Sequence, residues 1–338
     1  MATPSTAPTP SPVLIFETLR AFQETGALKT AIDLGVFTAI AEGASTAKDI
    51  AEKCAASERG IRILCDTLST SGILNKREGE YENTSDTALF LNRHSSAYMG
   101  GVADFICGPE IMTGFLQSLT DAVRKGGTVL PGQGTVSPEN PIWVKFAHAM
   151  APLTIPPSKA IAGLLPSIGP LKVLDIAAGH GMYGITIARH NPEAQITALD
   201  WAAVLEVAQE NAVKRGVAAR YSTIAGSAFD VEFGSDYDVI LLTNFLHHFD
   251  AHTNERLLRK VHAALKPGGK AVTLEFVPNE DRISPPSPAR FAITMLFTTQ
   301  RGDAFTFREL DSMFRNAGFE SSVQHMIETQ QSVIISTK

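Results

Sequence analysis

Apolar residues recur with helical spacing from Val13 to about Gly43. Leu14, Phe16, Leu19, Phe22, Leu28, Ile32, Val36, Phe37 and Ile40 form first an amphipathic and then a nearly all-apolar stretch. That is more apolar surface than one helix buries alone, so burial against another chain or domain is expected. Thr46 then stands as the N-cap of a short helix with Asp49 in its acidic first turn. From about Ser57, Ile61, Leu64, Cys65 and Leu68 occupy one helical face, and Gly72 ends the run. Ile73–Asn75 and Tyr81–Asn83 flank a polar turn through Gly79 and predict a small hairpin. Helix, short helix, longer helix and hairpin together have the outline of a winged helix. Residues 95–150 continue as helices broken at Gly100, at Gly108-Pro109 and across 126–134.

Prolines crowd at Pro152, Pro156-Pro157, Pro166 and Pro170, which makes 151–171 the expected linker. After Pro170 the pattern alternates. Lys172–Ile176, Gln195–Asp200, Tyr237–Leu242 and Lys270–Phe276 read as strands, with helices over Tyr183–His190, Ala203–Arg215 and Thr253–Leu265 between them. Continuous apolar strands separated by helices indicate a parallel sheet covered on both faces, so 172–338 is expected to be a doubly wound α/β domain. Residues 13–150 form the helical winged-helix-like part, and the Pro-rich 1–12 a flexible tail without the apolar core of a signal peptide.

Composition narrows the function. Of 338 residues, 44% are hydrophobic and 19% charged, as in ordinary globular proteins. Apolar runs fall well short of the ~20 residues of a membrane-spanning helix, so no membrane partner is expected. Cys54, Cys65 and Cys107 lack metal-ligand spacing and are expected to be buried apolar groups in a reducing, cytoplasmic setting; no metal is expected. The net charge is -6, with 12 basic and 16 acidic residues in the first 150 and 17 and 19 in the rest. A winged helix could read DNA through Arg59 and Arg62, or it could serve packing and dimerisation. The acidic balance favours the second and speaks against a nucleic-acid partner.

The candidate chemistry begins at Val173-Leu-Asp175-Ile-Ala177-Ala-Gly179-His-Gly181-Met-Tyr, where the first strand meets a helix. Such a turn brings backbone N–H groups close to a ligand and could serve NAD, FAD, a nucleotide or S-adenosylmethionine. A second acid, Asp200, ends the next strand, where it suits a ribose diol. The pattern is D-x-A-x-G-x-G, with Met182 where the dinucleotide fingerprint has its helix-packing glycine. The charge of Asp175 opposes a pyrophosphate and suits a cationic sulfonium, which favours S-adenosylmethionine.

Val173 to Phe276 resembles the class I S-adenosylmethionine-dependent methyltransferases. With the winged-helix part, nearly the whole chain from Val13 is similar to small-molecule O-methyltransferases of the caffeic acid, acetylserotonin and bacterial natural-product type. The resemblance implies a Rossmann-like methyltransferase domain preceded by a dimerisation domain, a homodimer, and S-adenosyl-L-homocysteine as product. It places Asp175, Ala177, Gly179, Gly181, Asp200 and Trp201 at the cofactor. Gly226-Ser227-Ala228-Phe229 matches the family's G-D-x-F, with Ser227 for the usual Asp; Asn244 follows strand four at the same site.

Asn244-Phe-Leu-His247-His248-Phe249-Asp250 resembles the family's L-H-D-W segment. It implies His247 as general base, His248 at the place of its acidic neighbour, and Glu275, ending strand five, as the carboxylate that holds His247. A second family glutamate is missing near 301–306, where Asp303 is the nearest acid. The acceptor pocket is expected from Trp143, Phe146, Met150, His248, Phe291 and Met295, with His148 and His252 as further hydrogen-bonding candidates. The expected reaction is methylation of a phenolic hydroxyl. N-, S- or C-methylation, a repurposed non-methylating member, and a winged-helix regulator sensing S-adenosylmethionine are the alternatives.

Overall fold

The computed structural model describes residues 10–338; most of the expected tail, 1–12, lies outside the described residues. The chain forms two compact units that part at Gly108/Pro109.

The first unit holds α1 (Val13–Leu34), α2 (Val36–Ala41), α3 (Ala47–Lys53), α4 (Glu58–Thr70), β1 (Leu74–Arg77), β2 (Glu80–Asn83), α5 (Ser85–Phe90) and α6 (Gly101–Ile106). Gly35, at φ 75°, separates α1 from α2, a break that the apolar pattern alone did not mark. Thr46 Oγ1 accepts from Asp49 N, so the expected cap forms, and Ser57 Oγ caps α4 in the same way by accepting from Gly60 N. The β1–β2 turn is Glu78-Gly79, both at positive φ, the arrangement that matches strand twist in a two-residue hairpin. Ile50, Ile61, Cys65, Leu68 and Leu74 fill the core of this unit, whereas Cys54 is only half-buried, as is Cys107. The first three turns of α1 point Leu14, Phe16, Leu19 and Phe22 outward, each more than half exposed.

The second unit adds α7 (Gly114–Lys125), α8 (Ile142–Met150), α9 (Ile155–Gly163), β3 (Leu171–Ile176), α10 (Met182–His190), β4 (Ala194–Asp200), α11 (Ala202–Lys214), β5 (Tyr221–Ala225), β6 (Tyr237–Thr243), α12 (Ala251–Ala264), β7 (Leu265–Glu275), α13 (Pro286–Thr298), α14 (Phe307–Asn316), β8 (Ser321–Met326) and β9 (Ser332–Thr337). The expected linker 151–171 is therefore not a linker. Pro156 and Pro157 occupy the first turn of α9, where a missing N–H costs nothing, and Ile161, Ala162 and Leu165 pack with Leu171 and Val173 in the core.

The seven strands run β5-β4-β3-β6-β7-β9-β8, parallel through β7; β9 alone runs in the opposite sense, pairing antiparallel with both β7 and β8. This is the Rossmann-like methyltransferase arrangement. The strand order reverses at β3, between β4 and β6. A crevice opens at such a point along the carboxyl edge, where Asp175, Asp200, Thr243 and Glu275 end or nearly end their strands. The two terminal strands were not foreseen from the sequence. No helix among the described residues is long and apolar enough to cross a membrane.

Candidate active site

Two clusters share the carboxyl edge of the sheet. The first is the turn after β3, where Ala177, Gly179 and Gly181 take φ of 55°, 56° and 75°. A side chain on Gly179 would extend into open space above the turn, so the glycine keeps that space clear. Gly181 is needed for packing instead: a Cβ there would lie 2.5 Å from the Tyr221 hydroxyl. Asp200 braces the turn, its Oδ2 accepting from Gly179 N at 2.8 Å and its Oδ1 from Trp201 N at 2.7 Å. Gly226 N donates to Asp200 O and draws the loop after β5 to the same edge.

Asp175 departs from expectation. Its side chain is fully buried beneath the turn, with Oδ2 accepting from Gly184 N at 3.1 Å and Oδ1 without a partner. Burial pushes its carboxyl up to about 7 and that of Asp200 up to about 6. Among the remaining expected contacts, Ala228 lies in the main core and Phe229 packs edge-to-face on Phe249. Ser227 stays part-exposed, its hydroxyl accepting from Phe229 N.

The second cluster surrounds Glu275. Its Oε1 accepts from the backbone N–H groups of Phe245 (3.1 Å), Leu246 (2.9 Å) and His247 (3.3 Å). Oε2 lies 2.5 Å from His247 Nδ1. A carboxylate only accepts, so Nδ1 carries the proton and Nε2 keeps its lone pair. Both residues are buried, at 5% and 3% exposure, so this pairing is shielded from water. Asn244, at φ 56°, leads into the segment; its amide donates to Tyr183 Oη at 3.3 Å and accepts from Gln331. Asn254 Nδ2 holds Leu246 O from below at 2.9 Å.

Aromatic rings enclose the two histidines. Phe291 meets His247 edge-on with centroids 4.8 Å apart and stacks on Phe276 at 4.2 Å. Trp143 meets His248 at 5.3 Å and Phe146 at 5.6 Å. Trp143 also shares an apolar cluster with Trp201, linking this pocket to the end of β4. Of the other expected lining residues, Met295 is buried in α13, Met150 is part-buried at the end of α8, and His148 and His252 are exposed.

Asp303 does not supply a second carboxylate. Its side chain turns outward to Arg282 at 3.3 Å, while its backbone N–H donates to His247 O at 3.0 Å. Beside it, a Cβ on Gly302 would come within 2.3 Å of that same oxygen and 2.6 Å of Thr299 Oγ1. Gly302→Ala is therefore expected to push the loop off His247, at roughly 1–3 kcal/mol of stability and on the order of 10- to 100-fold in kcat. Thermal unfolding and steady-state kinetics check it; a wild-type kcat would mean that the loop does not hold the histidine.

Sequence reasoning missed Gly302, Gln331, Asn254 and His180. The last is buried inside the turn, its Nδ1 accepting from Met182 N, and burial lowers its pKa to about 4. Only its place between two motif glycines could have drawn notice.

A family profile of the O-methyltransferase domain matches residues 165–320, and one of the O-methyltransferase dimerisation domain matches 16–93. A candidate O-methyltransferase from Nostoc punctiforme PCC 73102 is 53% identical and superposes with a TM-score of 0.94 over 98% of this chain and 100% of its own. Human N-acetylserotonin methyltransferase, solved with S-adenosylmethionine, shares the fold at 20% identity and a TM-score of 0.84, with 99% of each chain covered. The 3-hydroxy-5-methyl-1-naphthoate 3-O-methyltransferase of Streptomyces sahachiroi is 27% identical over 91% of this chain and 89% of that protein.

Proposed function

The chain belongs to the S-adenosylmethionine-dependent O-methyltransferases, and from that premise we propose that it methylates a phenolic hydroxyl of a small aromatic secondary metabolite, with His247 as general base. The observation that carries this reading is the His247–Glu275 pair, buried among aromatic rings at the sheet edge that also bears the glycine turn.

The turn fits a cationic donor. Gly179 keeps the space above it open, and beneath lies a carboxylate with an unpaired oxygen that burial holds partly protonated. Backbone groups of Ala177 and Gly179, with Asp200, Trp201 and Ser227, are the groups we assign to hold it. When bound, the sulfonium supplies the methyl: the acceptor oxygen's pair forms the O–CH3 bond as the S–CH3 pair stays on sulfur as a neutral thioether.

The protein's part is to align the acceptor and take its proton. A phenol of pKa about 10 and a free histidine near 6.5 differ by about 3.5 units, so full ionisation beforehand is uphill by roughly 4.8 kcal/mol. The proton therefore moves to Nε2 as the methyl arrives. Glu275 favours the imidazolium that forms, and the rings of Phe291 and Trp143 exclude water.

Labelled S-adenosylmethionine with a panel of phenols, amines and thiols tests the reading. Label is expected in aryl methyl ethers; transfer confined to amines or thiols would overturn it.

The donor's affinity should also depend on pH. The raised carboxyls take protons below about 7 for Asp175 and about 6 for Asp200, and the protonated acids no longer attract a cation. Binding is thus strongest above pH 7 and weakens through 7 to 5, by up to about tenfold per pH unit for each group that must ionise. Calorimetry with the neutral product S-adenosylhomocysteine should show a flatter profile; parallel profiles would exclude this charge effect.

The dimerisation domain accounts for the apolar face of α1. Leu19→Glu with Phe22→Glu, both exposed in the single chain, is expected to give monomers by light scattering. An unchanged dimer would place the interface elsewhere.

A further inference from the structure

His248 is the one histidine of the pair that the proton transfer leaves unused. Among the described residues no hydrogen bond reaches its ring nitrogens, and Nδ1 is enclosed while Nε2 is not. Its walls are Trp143, Phe245, Phe249 and His247, the last with ring centroids only 4.3 Å away. An enclosed N–H without a partner is rarer in folded proteins than an enclosed, under-satisfied acceptor. The neutral ring therefore keeps Nδ1 bare and carries its hydrogen on Nε2, the nitrogen that is not enclosed. Burial and the neighbouring His247 both hold its pKa well below the ordinary histidine value, so it stays neutral while His247 takes the acceptor's proton.

Two adjacent imidazoles, their ring centroids 4.3 Å apart, thus offer opposite chemistry side by side. His247 offers a lone pair, which needs a donor, and His248 offers an N–H, which needs an acceptor. From this pairing we propose that the enzyme selects phenols whose reacting hydroxyl has a carbonyl oxygen beside it, ortho or peri, with His248 donating to that carbonyl. This rests on the phenol-methylating reading and adds the substrate class. The chemistry gains twice. In such phenols the hydroxyl hydrogen is tied to the carbonyl, and donation from His248 gives the carbonyl another partner, freeing the hydrogen for His247 Nε2. The same contact fixes the ring's orientation, so that one hydroxyl of a polyhydroxylated acceptor is singled out.

The isomers 2′-hydroxyacetophenone and 4′-hydroxyacetophenone differ only in where the carbonyl lies. With S-adenosylmethionine, kcat/KM is expected to favour the 2′ isomer at least about tenfold, the value of one well-made hydrogen bond. Calorimetry on the S-adenosylhomocysteine complex should show the same order in Kd. His248→Phe should bring the ratio near one, and His248→Asn, which keeps an N–H donor, should restore part of it. Equal kcat/KM for both isomers in the wild type, or a ratio unmoved by His248→Phe, overturns the proposal while leaving phenol methylation standing. Transfer to no phenol at all, with donor binding intact, overturns both.

Discussion

His247→Gln is expected to lower methyl transfer by about 10²- to 10⁴-fold, the usual contribution of a positioned general base. Glutamine fills much of the same volume and can donate to Glu275, so the segment after β6 keeps its hydrogen bonds. What it lacks is a nitrogen that accepts a proton. Donor binding should survive, because the glycine turn is braced by Asp200 and not by this residue. Single-turnover transfer of labelled methyl, beside calorimetry with S-adenosylhomocysteine, separates the two. Near wild-type turnover on a phenol would remove His247 from the chemistry; a modest loss on a thiol, whose pKa near 8.5 needs less help, would point to S-methylation.

Replacing Glu275 separates its two tasks. In Glu275→Gln the side-chain oxygen can still accept from the N–H groups of residues 245–247, so the fold should hold. The amide N–H₂ then faces Nδ1 and donates to it, which moves the ring hydrogen to Nε2. His247 is left with the wrong tautomer and no lone pair toward the acceptor, a fault expected to cost on the order of 10³-fold or more in kcat. Glu275→Ala removes both tasks. Its three buried backbone donors lose their partner at about 1–3 kcal/mol each, so several kcal/mol and roughly 10 °C in Tm should follow. Equal Tm and equal kcat for the two variants would show that the carboxylate neither holds the segment nor sets the tautomer.

The burial of Asp175 and Glu275 raises a contrast that bears on both experiments. Each is a carboxylate removed from water at a strand end. Glu275 is compensated by four N–H groups, whereas Asp175 has one and an orphaned oxygen. The first is a fully compensated charge; the second keeps one uncompensated oxygen, and burial holds it partly protonated.

Local pattern was enough for much of this protein. Capping at Thr46 and Ser57, the hairpin at Gly79 and the alternation after Pro170 depend on neighbours within a few residues, and such rules are written along the chain. The glycine turn, Asp200, His247 and Glu275 were legible because each falls at the end of an apolar run, and parallel strands bring their ends to one edge. The boundary failed for a related reason: prolines mark both linkers and helix starts, and only the packing of Ile161 against β3 tells them apart. What lies far apart in sequence but shares one atom could not be read. The carbonyl of His247 accepts from Asp303 N with no room for a Cβ at Gly302 beside it, Asp175 sinks below its turn, and His248 Nδ1 is left enclosed without a partner. The sequence by itself determined which residue types stand at the edge, because residue type and strand-end position are local. The tertiary structure alone decided which of those groups are paired and which remain free to act, because pairing depends on what the fold brings within three ångströms.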